Sequence, residues 1–292
     1  MQRRRGSVPA VARAGRGRGP RRGKKYDKNP EIELTPTRWV GRGEALVESE
    51  FRPLWVWGGI PGEAGRVHVY HRGQNLDRGR WTGSDEPSPM RRKPPCEKYN
   101  RCGGCPLMHL KPAAQQDVRL TMVEHLFREQ GVNVALPLEV VKSPDGDENY
   151  RHVIKMAVDR SKWNRTRLGA YERDSHNVVP IPKCNVATPS LRKAMASISH
   201  QVMEQDIEPW DDETGRGVLR HVVIRRSRAT GELMVTLVVG RRPKILNDLA
   251  MGIAQSHQDV AGVHIHVNDG PGNAIFDAKD GAIHTRPLEG KR

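Results

Sequence analysis

The sequence predicts an α+β protein, in which a small β-barrel of the OB type precedes a mixed α+β domain that carries a cysteine cluster. Three observations lead to this prediction. Short segments with period-two alternation occur within residues 31–83, as half-buried strands require. Three cysteines follow within residues 96–105. Beyond Asn149, strand-like and helix-like segments alternate, which is typical of a mixed domain.

Residues 1–30 are predicted to be a disordered basic tail. Residues 1–28 hold eleven Lys or Arg and one acid, so most of the net charge of +15 lies there. An Arg- and Gly-rich segment of this kind binds polyanions such as RNA without reading their sequence. The tail lacks the apolar region of a secretory signal, and no apolar run is long enough to span a bilayer. We therefore expect a cytoplasmic protein without a membrane partner.

Residues 31–83 are predicted to form the barrel. Its strands are expected in the segments IELTPTRWV, GEALVE, PLWVWG and RVHVYHR, and several short strands with Gly-rich turns suggest the OB architecture. Alternation places Trp55 and Trp57 on one face, so we expect both in the core. Arg38 and Arg42 stand among these aromatic residues, and they are candidates for holding RNA while the aromatic rings stack bases.

A connector at residues 84–95, rich in Pro, Ser and charge, leads to an α+β domain predicted to span residues 96–292. A helix is predicted to begin at Pro112 and to end before Gly131, because Pro suits the first turn and Gly the end. The later elements are a helix from about Pro189 to Gln205, a hairpin around residues 229–231, a helix from Pro243, and strands in VAGVHIHV and NAIFD. His264 and His266 share one strand face and are expected to be solvated.

The cysteines are the strongest chemical signal in the chain. Cys96, Cys102 and Cys105 lie in a Cys-x5-Cys-Gly-Gly-Cys run, and the fourth and last cysteine is Cys184. Four thiols are the ligand set of one tetrahedral metal site or of one iron–sulfur cluster. The spacing alone leaves a cluster, zinc and no metal open. If all four bind metal, no cysteine remains as a nucleophile.

The segment CEKYNRCGGCPLMHLKPAAQ resembles the cluster segment of the RNA uracil-5-methyltransferases, especially the 23S rRNA branch. Downstream, YRHVIKMAV and LGAYERDSHNVVPIPKC resemble that family's segments up to its fourth cluster cysteine, here Cys184. Upstream, WVGRGEALVE and IPGEAGRVHV resemble the TRAM barrel, an OB-type RNA-binding domain. The resemblance runs from about Ile32 to the C-terminus.

The resemblance implies a [4Fe–4S] cluster on the four cysteines. It implies methyl transfer from S-adenosylmethionine to C5 of a uracil in RNA, with rRNA favoured over tRNA. Tyr99 and Arg101, which lie between cluster cysteines, become candidates for contact with RNA near the cluster. In that family the catalytic residues sit on a C-terminal Rossmann-like domain.

We expect that Rossmann-like methyltransferase domain to be absent from this chain. The nearest glycine-rich stretch, residues 268–273, lies between predicted strands and has the context of a turn. The chain is therefore expected to be a monomeric RNA-binding and cluster-bearing portion of a methyltransferase, truncated before the catalytic domain or served by a separate catalytic subunit. No catalytic or S-adenosylmethionine-binding residue is predicted. The alternative is a free-standing, non-catalytic RNA-binding module that contains an iron–sulfur cluster or zinc.

Overall fold

The computed structural model describes residues 31–133, 137–270, 272, 274–276 and 286–290, and the predicted basic tail at residues 1–30 lies outside them. Within these residues the chain forms two sheets and three helices. None of the helices in the described ranges is long and apolar enough to cross a membrane.

The first sheet has six strands, which follow one another closely in the sequence. They are β1 (Ile32–Leu34), β2 (Arg38–Val40), β3 (Glu44–Val47), β4 (Leu54–Trp57), β5 (Gly65–Arg72) and β6 (Asp77–Gly83). Their order in the sheet is β1-β5-β6-β4-β3-β2. All neighbours are antiparallel except β4 and β6, which run parallel. The apolar core of this sheet is small, and it is built from Val47, Leu54, Val56, Val67 and Val69.

Helix α1 (Pro112–Glu129) begins and ends where the sequence predicted. Its buried residues Ala114 and Val118 pack with Ile60, Leu107 and Leu110. The helix thereby covers the end of the cysteine segment against a loop of the six-stranded sheet.

The second sheet has seven strands and carries two helices. The strands are β7 (Val153–Arg160), β8 (Thr166–Tyr171), β9 (Val178–Val179), β10 (Leu219–Arg226), β11 (Leu233–Val239), β12 (Val260–Val267) and β13 (Arg286–Gly290). Their order is β13-β12-β11-β10-β7-β8-β9. The helices are α2 (Pro189–Glu204) and α3 (Ile245–Ser256). Strands β11 and β12 run parallel, and α3 makes the crossover that a parallel pair needs.

Several predicted elements of this region are confirmed, and two expectations are wrong. Helix α2 and the β10–β11 hairpin lie where the sequence placed them. Residues 274–276 of the predicted strand NAIFD are not in a strand. His266 is buried rather than solvated, at 2% exposure, because β12 lies inside the sheet and the ring of Phe276 packs against it at 5.2 Å.

The predicted fold class, an OB-type (TRAM) barrel followed by an iron–sulfur α+β domain without the methyltransferase fold, is wrong. The structure has two mixed sheets, each with one parallel pair of neighbouring strands. Apolar alternation indicates where a strand lies, but it does not indicate which strand becomes its neighbour or in which direction. The expected absence of the methyltransferase fold rested on the lack of a glycine-rich loop between a strand and a helix, and a local motif of that kind does not determine how the other segments pack.

Candidate functional site

The cysteine segment is a series of tight turns fastened to the seven-stranded sheet. Within it, the amide of Tyr99 donates to the Cys96 carbonyl at 3.1 Å, and the amide of Cys102 donates to the Lys98 carbonyl at 2.8 Å. The amide of Gly103 donates to the Tyr171 carbonyl at 3.4 Å, at the end of β8. These backbone contacts hold the three clustered cysteines beside the end of β8.

Cys184 reaches the same place from the loop between β9 and α2. Its carbonyl accepts hydrogen bonds from the amide of Ala187 at 3.2 Å and from the guanidinium of Arg192 at 3.5 Å. Arg192 lies in the first turn of α2 and also donates to the Ala187 carbonyl at 2.7 Å. The loop that carries the fourth cysteine is therefore fixed by the start of the helix that follows it.

All four cysteines line one cavity of about 620 Å³. An apolar cluster of Trp57, Tyr99, Met108 and Val186 packs against Cys96, Cys105 and Cys184, while Cys102 packs against the core of the seven-stranded sheet. Each cysteine is partly exposed and none forms a disulfide. The structure thus brings together the four cysteines that the sequence singled out, although Cys184 is distant from the other three along the chain.

The cavity raises the pKa of two of its thiols. Burial is the main cause for Cys102, and the neighbouring Cys184 and Cys96 also raise its pKa. Burial raises the pKa of Cys105 to about 11, against an opposing effect from the charge of Arg151. A metal ion that binds here must displace the protons of these thiols, so binding would release protons and weaken as the pH falls.

Among the residues that the structure describes, no group of three or more His, Cys, Asp or Glu side chains is arranged to hold a single metal ion. The four cysteines therefore share a cavity without forming a ready-made one-ion site.

Next to the cysteines, an aromatic stack joins the two sheets. The rings of Trp57 and Tyr99 are stacked at 5.3 Å, and the guanidinium of Arg173 covers Trp57 at 3.2 Å. The hydroxyl of Tyr99 hydrogen bonds to Nδ1 of His109 at 2.8 Å. Burial, with a further effect from Arg91, lowers the pKa of His109 to about 4, so its imidazole is neutral at neutral pH.

An ionic network, which sequence reasoning missed, strengthens this junction. Arg173 donates to the buried carboxylate of Glu44 at 2.9 Å, and Arg78 lies 3.4 Å from the same oxygen. Asp174, with a positive φ of 53°, accepts from the hydroxyl of Tyr70 at 2.9 Å. The Glu172-Arg173-Asp174 turn therefore joins the cysteine segment to the six-stranded sheet. Its alternating charges are the one local signal that could have indicated this role.

The four residues proposed to contact RNA are not all at the surface. Arg38 begins β2, and Arg42 lies in the turn between β2 and β3. The Arg38 side chain is half-exposed, and its guanidinium lies 3.7 Å from the carboxylate of Glu48. Arg101 is exposed and paired with Glu172 at 2.9 Å. Tyr99 is only 8% exposed.

No protein-family model matches the chain. Three similar proteins are described as uncharacterized RNA methyltransferases. The protein from Nostoc sp. is 29% identical over 84% of this chain and 54% of its own length. The protein from Synechocystis sp. is 26% identical over 86% of this chain, and the protein from Listeria innocua is 27% identical over 85% of it. Each match covers 54% of the relative's own length. The chain thus spans about half the length of these relatives.

A solved structure matches a similar share of this chain. It is the crystal structure of the tRNA (uracil-54, C5)-methyltransferase of Pyrococcus abyssi in complex with S-adenosyl-L-homocysteine, at a TM-score of 0.59 and 23% identity. The match covers 83% of this chain and 52% of the other. This likeness overturns the expectation that a methyltransferase fold is absent here. The chain is similar, over most of its length, to about half of several RNA methyltransferases, and it shares the fold of the matching half of a solved one.

Proposed function

We propose that this chain binds RNA and takes part in S-adenosylmethionine-dependent methylation of a uracil at C5, with its four cysteines holding a [4Fe–4S] cluster. The single observation that carries the proposal is the convergence of Cys96, Cys102, Cys105 and Cys184 on one cavity in a chain similar to RNA methyltransferases. S-adenosylmethionine would supply the methyl group. We propose that the protein works as a cytoplasmic monomer.

Four thiols can hold either zinc or a cluster, and the resemblance to the RNA uracil-5-methyltransferases favours the cluster. Four thiolates and an apolar surround suit iron–sulfur ligation, and the thiolates of a multi-iron cluster bind different irons. They therefore need not converge on one point as the ligands of zinc must. The cluster would tie the cysteine segment to the loop before α2, so its role here is to position these elements.

Since all four cysteines of the chain are assigned as cluster ligands, we assign no thiol nucleophile and no catalytic residue. The parts assigned to this chain are cluster ligation and RNA contact. Arg38, Arg42 and Arg101 are proposed as RNA contacts on exposed surfaces, because arginines pair with phosphates at little desolvation cost when they remain solvated.

The cluster is tested by purifying the protein without oxygen. We expect a brown protein with a broad absorption shoulder near ~400 nm, because thiolate-ligated iron–sulfur clusters absorb there and zinc does not. Cys102→Ser and Cys184→Ser should each abolish the colour, whereas Asn185→Ala, next to the fourth ligand, should retain it. A colourless wild-type protein with one zinc per chain would contradict the assignment.

The reaction is tested on cellular RNA, in the organism that carries the gene. Deleting the gene should remove 5-methyluridine from one position of rRNA or tRNA, measured by mass spectrometry of nuclease digests. The sequence resemblance favours rRNA, whereas the solved structural neighbour is named for tRNA, and the RNA that loses the modification decides between them. Unchanged 5-methyluridine in both RNA fractions would rule out the proposed reaction.

A further inference from the structure

A second cavity, of about 660 Å³, lies between the six-stranded sheet and the cysteine segment, and we call it the tryptophan cavity. Its volume is within the roughly 300–1,000 Å³ of pockets that hold small molecules. The residues that matter for its chemistry are Trp57, Trp81, Arg91, Lys93, Tyr99 and Asn100. Cys96 lines this cavity as well as the cysteine cavity, so the two are neighbours.

One wall of the tryptophan cavity is already fixed. Trp57 is held by the stacked ring of Tyr99 and by the guanidinium of Arg173 over its own ring. Tyr99 is held in turn by its hydrogen bond to His109 at 2.8 Å. A ligand that enters therefore meets aromatic side chains that are already held in place, and this lowers the entropic cost of binding.

Trp81 also lines the cavity, and it is half-buried and packs against the apolar core of the six-stranded sheet. The guanidinium of Arg91 lies 5.2 Å from its ring centroid. Arg91 donates two hydrogen bonds to the buried carboxylate of Glu63, one of them from Nε to Oε1 at 2.7 Å. It also donates to the Gly58 carbonyl at 2.8 Å. Because Glu63 balances its charge, Arg91 positions the indole and contributes little attraction for an anion.

The mouth of the cavity is polar. Lys93 and Asn100 are both exposed there, and Glu97 is the exposed acid at the same rim. A lysine ammonium attracts a phosphate, and an asparagine amide offers both a donor and an acceptor to the edge of a base. Aromatic rings combined with a nearby cation are the elements that hold single-stranded nucleic acid.

We propose that the tryptophan cavity holds one unpaired nucleotide of the bound RNA, with its base against Trp81, its base edge near Asn100 and its phosphate near Lys93. The inference rests on the proposed RNA-binding function. It places an RNA contact in the cleft between the six-stranded sheet and the cysteine segment, and it gives Tyr99 a role as a fixed wall.

The test is the affinity of the full chain for a fluorescent oligouridylate and for an RNA duplex of equal length, measured by anisotropy at one salt concentration. Trp81→Ala should weaken binding of the single strand by roughly 5- to 150-fold, the range for loss of one stacked base. Lys93→Glu should weaken it as well. Trp81→Phe, which keeps an aromatic ring, should retain most of the affinity, and the duplex should bind all variants alike.

Lys162 and Trp163 provide matched controls, because they form an exposed cation–aromatic pair at 4.9 Å in the turn between β7 and β8. Lys162→Glu and Trp163→Ala should leave single-strand affinity unchanged. Should Trp81→Ala fail to fold, Lys93→Glu and Asn100→Ala at exposed positions carry the test. Wild-type affinity in those two variants would overturn the cavity assignment alone. A wild-type protein that binds neither RNA would overturn the proposed function together with it.

Discussion

The two sheets of this molecule are stabilised in different ways. The seven-stranded sheet packs against α2 and α3 through a continuous apolar core, in which residues such as Ile198, Leu237 and Leu249 are fully buried. The core of the six-stranded sheet consists of five buried residues. The acidic residues that are buried in the described part of the chain, Glu44, Glu63 and Asp77, all lie in that sheet or its loops.

This difference shows how a small sheet can be held in place beside a large one. Each of those buried carboxylates has an arginine partner: Arg78 and Arg173 for Glu44, Arg91 for Glu63, and Arg52 for Asp77. Apolar burial stabilises in proportion to area. A buried ion pair stabilises little by itself, but it costs several kcal/mol when one partner is removed. The large sheet should therefore be destabilised most by substitutions that leave a cavity in its apolar core. The small sheet should be destabilised most by substitutions that leave a buried carboxylate without its arginine.

The largest expected effect is a cavity in the seven-stranded sheet. Leu237→Ala, at a fully buried position of β11, should lower the free energy of unfolding by about 3–4 kcal/mol, because the surrounding side chains collapse only in part. Urea unfolding followed by circular dichroism measures the loss. Met234→Ala, on the same strand but 45% exposed, should change it by less than about 0.5 kcal/mol. Equal losses in the two variants would contradict the core assignment.

Removing one partner of a buried pair should have the next largest effect. Arg173→Met should cost about 2–3 kcal/mol, less than a full loss of pairing because Arg78 still lies 3.4 Å from Glu44. It should also release Trp57, which tryptophan fluorescence would detect as a change in emission. Arg101→Gln, in an exposed pair with Glu172, should stay within about 1 kcal/mol of the wild type. If Arg173→Met leaves the free energy of unfolding unchanged, the pairing of Arg173 with Glu44 does not contribute to stability.

The pH dependence of stability should reveal the buried His109. Burial lowers its pKa to about 4 in the folded state from an ordinary value of 6.5, so the unfolded state takes up a proton first as the pH falls. Stability should therefore decrease as the pH falls from 6.5 towards 4, and this group should contribute on the order of 1–2 kcal/mol between pH 7 and pH 5.

Urea unfolding of wild type and His109→Gln across this range isolates the effect, because both proteins share every other titration. The slope should be shallower in the variant. His200→Gln, at a solvated position of α2 with a 71% exposed side chain, should keep the wild-type slope. A wild-type slope in His109→Gln would mean that another group controls the acid sensitivity.

The smallest effect on stability is expected at an exposed ion pair of the six-stranded sheet. Arg38 lies 3.7 Å from Glu48, and both side chains are half-exposed or more. Arg38→Gln should change the free energy of unfolding by less than about 0.5 kcal/mol while it weakens RNA binding in the anisotropy assay. Unchanged RNA affinity would remove Arg38 from the proposed RNA contacts.

The elements that local physics controls were predictable from the sequence. Pro112 and Gly131 set the ends of α1, and Pro189 set the start of α2, because Pro suits a first helical turn and Gly follows a last one. The three clustered cysteines were recognisable from their spacing. Each of these inferences uses neighbours within a few residues. Alternation was less reliable: it placed Trp55 and Trp57 together in the core, whereas Leu54 and Val56 form the core of the sheet. Trp55 is only partly buried, and Trp57 is buried against the cysteine segment instead.

Strand partners, strand directions and buried surfaces between distant segments were not predictable in this way. His266 lies on a strand that the sequence located, yet the expectation that it is solvated was wrong, because β12 lies between two other strands and packs against Phe276. The parallel pairing of β4 with β6 likewise depends on a connection that passes through β5.

The helix ends, most of the strands, and the presence of three clustered thiols and one distant thiol could be read from the sequence. Only the tertiary structure decided that Cys184 lines the cavity of the other three and that Arg173 reaches Glu44, 129 residues away. The physical reason is that turns and helix ends are set by energies between near neighbours. The junction of the two sheets depends instead on burial and ion pairing between segments that meet only after the chain has folded.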